Sequence, residues 1–131
     1  MEISKILTRN DTGESGGHQD GFHVPKTVVN FFPDLNVNKK NPRMEILFKD
    51  TFFHEWVFNY IYYNNKKFGG TRDEYRLTRT AGYIKSYNLQ TGDAVTLSRQ
   101  DSEYFISHDQ THEKIIVKKI VLNNKWKVIK I

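Results

Sequence analysis

Short runs of alternating apolar and polar residues, each closed by a turn signal, recur along almost the whole chain, while helical periodicity is scarce. Alternation at period two puts successive side chains on opposite faces of a strand, so every run has one face to bury and needs neighbours to bury it against. A chain patterned this way folds as a barrel or sandwich. Strand-like runs cover residues 3–8, 44–49, 53–63, 75–79, 93–98, 104–108, 113–120 and 125–131, and residues 22–24 are extended up to Pro25. Pro25 can open, and Pro33 stops, about two helical turns over residues 26–32. Tyr83, Ile84 and Tyr87 fall at helical spacing inside residues 81–88. The expectation is a single mainly β, barrel-like domain over residues 1–131, with seven or eight strands, two short helices and no internal repeat or linker.

At 131 residues, 37% of them hydrophobic, the chain can bury one proper core. No cysteine is present, which removes disulfides and thiolate metal sites. No apolar run reaches membrane-spanning length, and the first residues lack the basic start and apolar stretch of a secretion signal. The expected address is therefore the cytoplasm, with no membrane partner. Twenty basic residues against fifteen acidic leave a net charge of +5, and the surplus is local. Residues 66–79 carry five basic side chains and two acids; residues 114–131 carry six lysines and no acid. Such stripes suit a polyanion partner, and they equally suit a solvated surface.

Catalytic patterns are missing. A metal-dependent nuclease of the commonest type needs an acid-x-lysine pair, and no Asp or Glu here is followed two residues later by Lys. Glu113 and Lys114 are adjacent and so point to opposite faces of a strand. His54-Glu55 does not continue into a zinc-protease motif, and His108 and His112 flank an expected turn. The glycine-rich residues 13–17 lack the Gly-Lys-Ser/Thr ending of a nucleotide loop. A non-catalytic chain is expected.

Two polar segments are unlike ordinary connectors. Residues 9–21 contain no apolar anchor, carry four glycines, and include Arg9, Asn10, Asp11, Thr12, Ser15, His18 and Gln19. Arg pairs with guanine edges, Asn and Gln with adenine, and acids with the cytosine amine, so this set is suited to reading bases. In residues 68–79, strand alternation places Arg72, Glu74 and Arg76 on one face, with Asp73, Tyr75 and Leu77 on the other. Either segment also reads as solvated loop or edge strand. The aromatics Trp56, Tyr60, Tyr62 and Tyr63 offer an alternative: a stacking platform on a non-catalytic β-domain that binds an acidic polysaccharide, a protein or single-stranded nucleic acid.

Asn10, Asp11, Thr12 and Gly13, then Gly17, His18, Gln19 and Gly21, then Val24, Pro25 and Lys26 resemble the N-terminal effector-binding domain of the EcoRII-type restriction endonucleases. Gly70, Thr71, Arg72, Glu74 and the run Arg76, Leu77, Thr78 and Arg79 resemble the same family, in the same order along the chain. The resemblance implies a DNA-binding pseudobarrel of the plant B-three type, seven strands with two short helices. It implies that two arms, residues 9–19 and 72–79, grip double-stranded DNA in the major groove at a short specific site. Arm residues Arg72, Glu74, Tyr75, Arg76 and Arg79 match the second motif, with Tyr75 where a basic residue is expected. Lys26, Lys39, Lys40, Lys66 and Lys67 are candidates for phosphate contact. The resemblance also implies a nuclease domain elsewhere in the same polypeptide, where magnesium would be needed. This domain would then need no cofactor and be a monomer by itself. Strand alternation running to the last residue fits an N-terminal domain cut from a larger restriction enzyme.

Overall fold

A computed structural model describes residues 1–16, 21–110 and 126–129. Among these, eight strands form one sheet: β1 (Glu2–Ile6), β2 (Phe22–Val24), β3 (Arg43–Asp50), β4 (Glu55–Tyr63), β5 (Glu74–Thr78), β6 (Ala94–Gln100), β7 (Glu103–Asp109) and β8 (Trp126–Ile129). Their order across the sheet is β2-β5-β4-β3-β7-β6-β1-β8. All neighbours run antiparallel except β3 and β7, which are parallel with Lys49 beside Phe105. Two short α-helices, α1 (Arg9–Thr12) and α2 (Ala81–Ser86), join two 3-10 segments, Lys26–Phe31 and Asn65–Phe68.

The period-two pattern decides which faces are buried. Ile3 and Lys5 on β1, Ile46, Phe48 and Asp50 on β3, and Val95 and Leu97 on β6 point inward, while their neighbours stay in contact with solvent. Phe22, Phe58, Leu77, Tyr83 and Ile106 complete a core in which each is at most 1% exposed. The two ends of the barrel are stopped by different elements. Phe31, from the first 3-10 segment, packs edge-on against Tyr104 at the start of β7, and the Arg99 guanidinium donates to the Phe31 carbonyl at 2.8 Å. At the other end, Tyr83 of α2 packs edge-on against Trp56 and donates or accepts a 2.6 Å hydrogen bond with Nδ1 of His108, near the end of β7.

The sheet curls until its outermost strands approach. Trp126 Nε1 on β8 donates to the His23 carbonyl of β2 at 3.0 Å, and its ring meets Phe22 edge-on at 6.3 Å. The seam is thus bridged by a side chain, which makes the fold a pseudobarrel. The mainly β architecture is the one expected. Three local readings need correction. β1 stops at Ile6 because Thr8 caps α1. Residues 9–12 are a helical turn, too short for periodicity to register. Phe53 belongs to the β3–β4 turn with φ at +66°, and β4 starts only at Glu55. The strand expected over residues 113–120 lies outside the described residues.

Candidate functional site

β2 and β5 form a short ribbon in which Phe22 faces Leu77, His23 faces Arg76 and Val24 faces Tyr75. The first polar loop enters this ribbon at Phe22, beside Leu77. The second enters at Glu74. The two loops therefore flank opposite ends of the ribbon, three residues apart along β5, or roughly 10 Å at a strand rise.

The first loop is fastened at both ends. Thr8 and Asp11 form a capping box: Asp11 N–H donates to Thr8 Oγ1 at 3.3 Å, and Thr8 N–H donates to Asp11 Oδ2 at 2.8 Å. The same carboxylate meets the Lys5 ammonium at 3.0 Å, and the two side chains are 4% and 0% exposed. Burial pushes the Lys5 pKa down against the opposing pull of Asp11. Gly13 closes the turn at φ +84°. At the far end, Gly21 has φ +85°, and any Cβ there would lie 2.1 Å from the Leu77 carbonyl oxygen, so only glycine fits. The Gly21 carbonyl accepts from Arg76 Nη2 at 3.1 Å.

Between these anchors Arg9, Asn10 and Ser15 are exposed and Thr12 is half-buried. They are linked locally: Ser15 donates to Asn10 Oδ1, Thr12 Oγ1 donates to the Arg9 carbonyl at 3.2 Å, and Arg9 reaches the Glu14 carbonyl at 3.4 Å. Asp11, grouped with these by sequence, is instead buried at 8% exposure and committed to Lys5 and the cap. His18 and Gln19 lie outside the described residues.

The second loop is a compact fold over residues 64–73. Buried Asn64 donates to the carbonyls of Val37 and Lys39 at 3.1 and 2.8 Å and accepts from Asn41 N–H at 2.7 Å. Lys66, exposed on the second 3-10 segment, donates its backbone N–H to the Arg72 carbonyl at 2.9 Å. Arg72 lies over the Tyr63 ring at 3.7 Å and pairs with Glu74 at 2.6 Å. Asp73 accepts from Tyr62 OH at 2.7 Å and pairs with Lys26 at 2.8 Å. The hydrogen bond to Asp73 pushes the Tyr62 phenol up to about 12. Lys26 and Tyr62, in turn, hold the Asp73 carboxyl below its ordinary range.

Tyr75 does not face outward. Its ring stacks on Tyr62 at 4.1 Å with planes 4° apart, and on Tyr60 at 5.8 Å. Arg76 shares the register face of Glu74 as the alternation requires, yet it is only 6% exposed, and its guanidinium donates to the Gly21 carbonyl. Arg79, with φ +65°, is exposed and pairs with Glu45 at 2.6 Å. The four aromatics of the alternative reading do not share one exposed platform: Tyr60 is 1% exposed in the core, and Trp56 turns its indole N–H to Asp50 at 2.9 Å. Lys5 and His23 carry no motif signal, and Tyr62 and Asp73, placed by sequence on a platform and an opposite strand face, instead bond to each other. The available signal for Lys5 was a lysine in the inward register between Ile3 and Leu7. His23 faces Arg76 across the ribbon; burial lowers its pKa, while the nearby Glu74 charge opposes the shift.

A family profile described as "Restriction endonuclease EcoRII, N-terminal" matches residues 2–123. The type II restriction enzyme EcoRII of Escherichia coli is 38% identical over 97 residues, covering 71% of this chain and 24% of that protein. Auxin response factor 15 of Oryza sativa subsp. japonica is 33% identical over 98 residues, covering 74% of this chain and 12% of the factor. The chain thus spans about a quarter or less of the length of these relatives. In structure, it is similar to the protein of an Arabidopsis FUS3-DNA complex, with a TM-score of 0.64 at 22% identity over 82% of this chain and 95% of the other. It is also similar to the N-terminal domain of Helicobacter pylori LlaJI.R1, with a TM-score of 0.54 at 14% identity over 99% of each chain. The chain belongs to the family of EcoRII restriction endonuclease N-terminal domains and has a pseudobarrel of the plant B-three type.

Proposed function

We propose that this domain binds double-stranded DNA at a short specific site, one polar loop entering the major groove from each end of the β2–β5 ribbon. The observation that carries the reading is the placement of both loops at the ends of one ribbon. Its span of roughly 10 Å is close to the ~12 Å width of a major groove. Family membership and likeness in fold to a protein solved with DNA support the same partner.

Arg72, Glu74 and Arg79 of the second arm and Arg9, Asn10, Thr12, Ser15, His18 and Gln19 of the first are the base-reading candidates. Lys26 and Lys66 are the candidates for phosphate contact. Asp11, Tyr75 and Arg76 hold these groups in place from within. The domain is the target or effector reader of a type II restriction endonuclease, and the nuclease domain of the same polypeptide performs the magnesium-dependent chemistry.

Selection from a random duplex library at physiological salt tests this directly. Enrichment of a short motif is expected. Retention without enrichment would leave only a non-specific basic surface, and preference for single strands would revive the aromatic alternative. Arg72→Ala should then cost ~1–3 kcal/mol on the enriched site and relax one position of it. Lys66→Ala should weaken all duplexes alike and reduce the salt slope by about 1.

A further inference from the structure

Among the described residues, three ion pairs lie at the surface, and they engage Lys26, Arg72 and Arg79. All three cations are ones that the proposed function turns toward DNA. Each meets an acid of its own chain: Asp73, Glu74 and Glu45. Asp73 is the most firmly fixed of these acids. The Tyr62 hydroxyl donates to its Oδ1 while Lys26 occupies its Oδ2, and the Tyr62 ring is itself held flat against Tyr75. The carboxylate is therefore oriented by a group other than Lys26, so only the lysine side chain must be ordered to complete the pair.

We propose that Asp73 is a specificity-determining residue: its carboxylate occupies Lys26 in the free protein and so weakens attachment to DNA that offers phosphates but not the right bases. The inference rests on the DNA-binding reading above. A phosphate reaching Lys26 must displace Asp73 before it gains a cation and releases a counterion. On random duplex the domain slides among phosphates, and any freed cation finds one. On its own site the base contacts of Arg72 and its neighbours set the register, phosphate contact falls to Lys66, and Lys26 stays paired with Asp73. Asp73 thus acts as a built-in competitor that subtracts more from random binding than from cognate binding.

The test uses the 131-residue protein, a random-sequence duplex and the duplex enriched by selection. Asp73→Asn keeps an acceptor for Tyr62 while removing the charge. It should tighten random-duplex binding by about three- to tenfold, steepen the salt slope by about 0.9, and tighten the enriched duplex less. In a Lys26→Met background, Asp73→Asn should have no further effect on the random duplex. Without DNA, Lys26→Met should raise the titration midpoint of the Asp73 carboxyl as followed by NMR. An unmoved midpoint, or equal gains on both duplexes, or unchanged random binding, would each overturn the role of Asp73 while leaving DNA binding intact. Failure of both the natural chain and Asp73→Asn to retain any duplex at low salt would instead overturn the DNA reading, and this inference with it.

Discussion

Asp50 ends β3 with its carboxylate turned inward, where it accepts from the backbone N–H groups of Phe52 and His54 at 2.8 and 3.0 Å, from Trp56 Nε1 at 2.9 Å, and from the Tyr87 hydroxyl. One side chain thereby ties the β3–β4 turn to α2. Burial alone would raise its pKa, but the hydrogen bonds from Trp56, Tyr87, His54 and Phe52 outweigh it and bring the group down to about 2. The folded value lies below the ordinary carboxylate value, so the stabilisation is complete above that ordinary value and is lost as pH falls through about 2. The difference corresponds to about 2 kcal/mol. Asp50→Asn removes the charge and aims an amide at four donors, so a loss of about 2–3 kcal/mol is expected at neutral pH. Urea unfolding between pH 7 and pH 2 checks this: the gap between the natural chain and Asp50→Asn should narrow below pH 4. A gap independent of pH would mean that the charge of Asp50 contributes nothing.

The β3–β4 hairpin illustrates what patterning at the level of an element conveys. Ile46 and Phe48 alternate with solvated neighbours, and that alternation places β3 and chooses its inner face, whereas residues 58–61 of β4 are all buried, so alternation does not separate the two faces there. The turn between them obeys different chemistry: the Asp50 side chain substitutes for ladder partners at Phe52 and His54, an interaction invisible to hydropathy. Phe53 looks like a strand residue because it is aromatic, yet it is 95% exposed with a left-handed backbone. α1 leaves no hydropathy signal for a related reason, since a single turn held by Thr8, Asp11 and Lys5 depends on polar bonds and has no apolar stripe. At the candidate site, the shared face of Arg72, Glu74 and Arg76 follows from alternation, whereas the buried hydrogen bond of Arg76 goes to Gly21, distant in sequence. Phe53 supplies a prediction for this element. Asn tolerates positive φ better than an aromatic residue, and the exposed ring has little packing to lose. Phe53→Asn should therefore raise the urea midpoint, by about 1 kcal/mol in stability. A fall in the midpoint would show that the ring packs in solution.

For the whole molecule, the weak point of a curled open sheet is the seam between its outermost strands. Among the described residues β2 has one ladder partner, β5, and it carries the end of the first loop. Its position depends on what bridges the gap to β8. Trp126 supplies that bridge through its indole N–H to His23 and its edge contact with Phe22, and the buried Lys5 ammonium lies 6.0 Å from its ring. The pair that fastens the first loop and the side chain that bridges the seam are thus neighbours, so opening the seam should loosen the loop as well as the strand. Trp126→Phe keeps an aromatic ring but removes the donor to the His23 carbonyl, at about 1 kcal/mol. Trp126→Ala removes both and should cost about 3 kcal/mol or more. Amide exchange separates a local effect from a global one. In Trp126→Ala the amides of His23, Val24 and Asp11 should exchange faster relative to those of β3 and β4 than in the natural chain, with Trp126→Phe between them. Uniform acceleration across the sheet would show that the pseudobarrel opens as one unit, and that the seam has no separate control over the two loops.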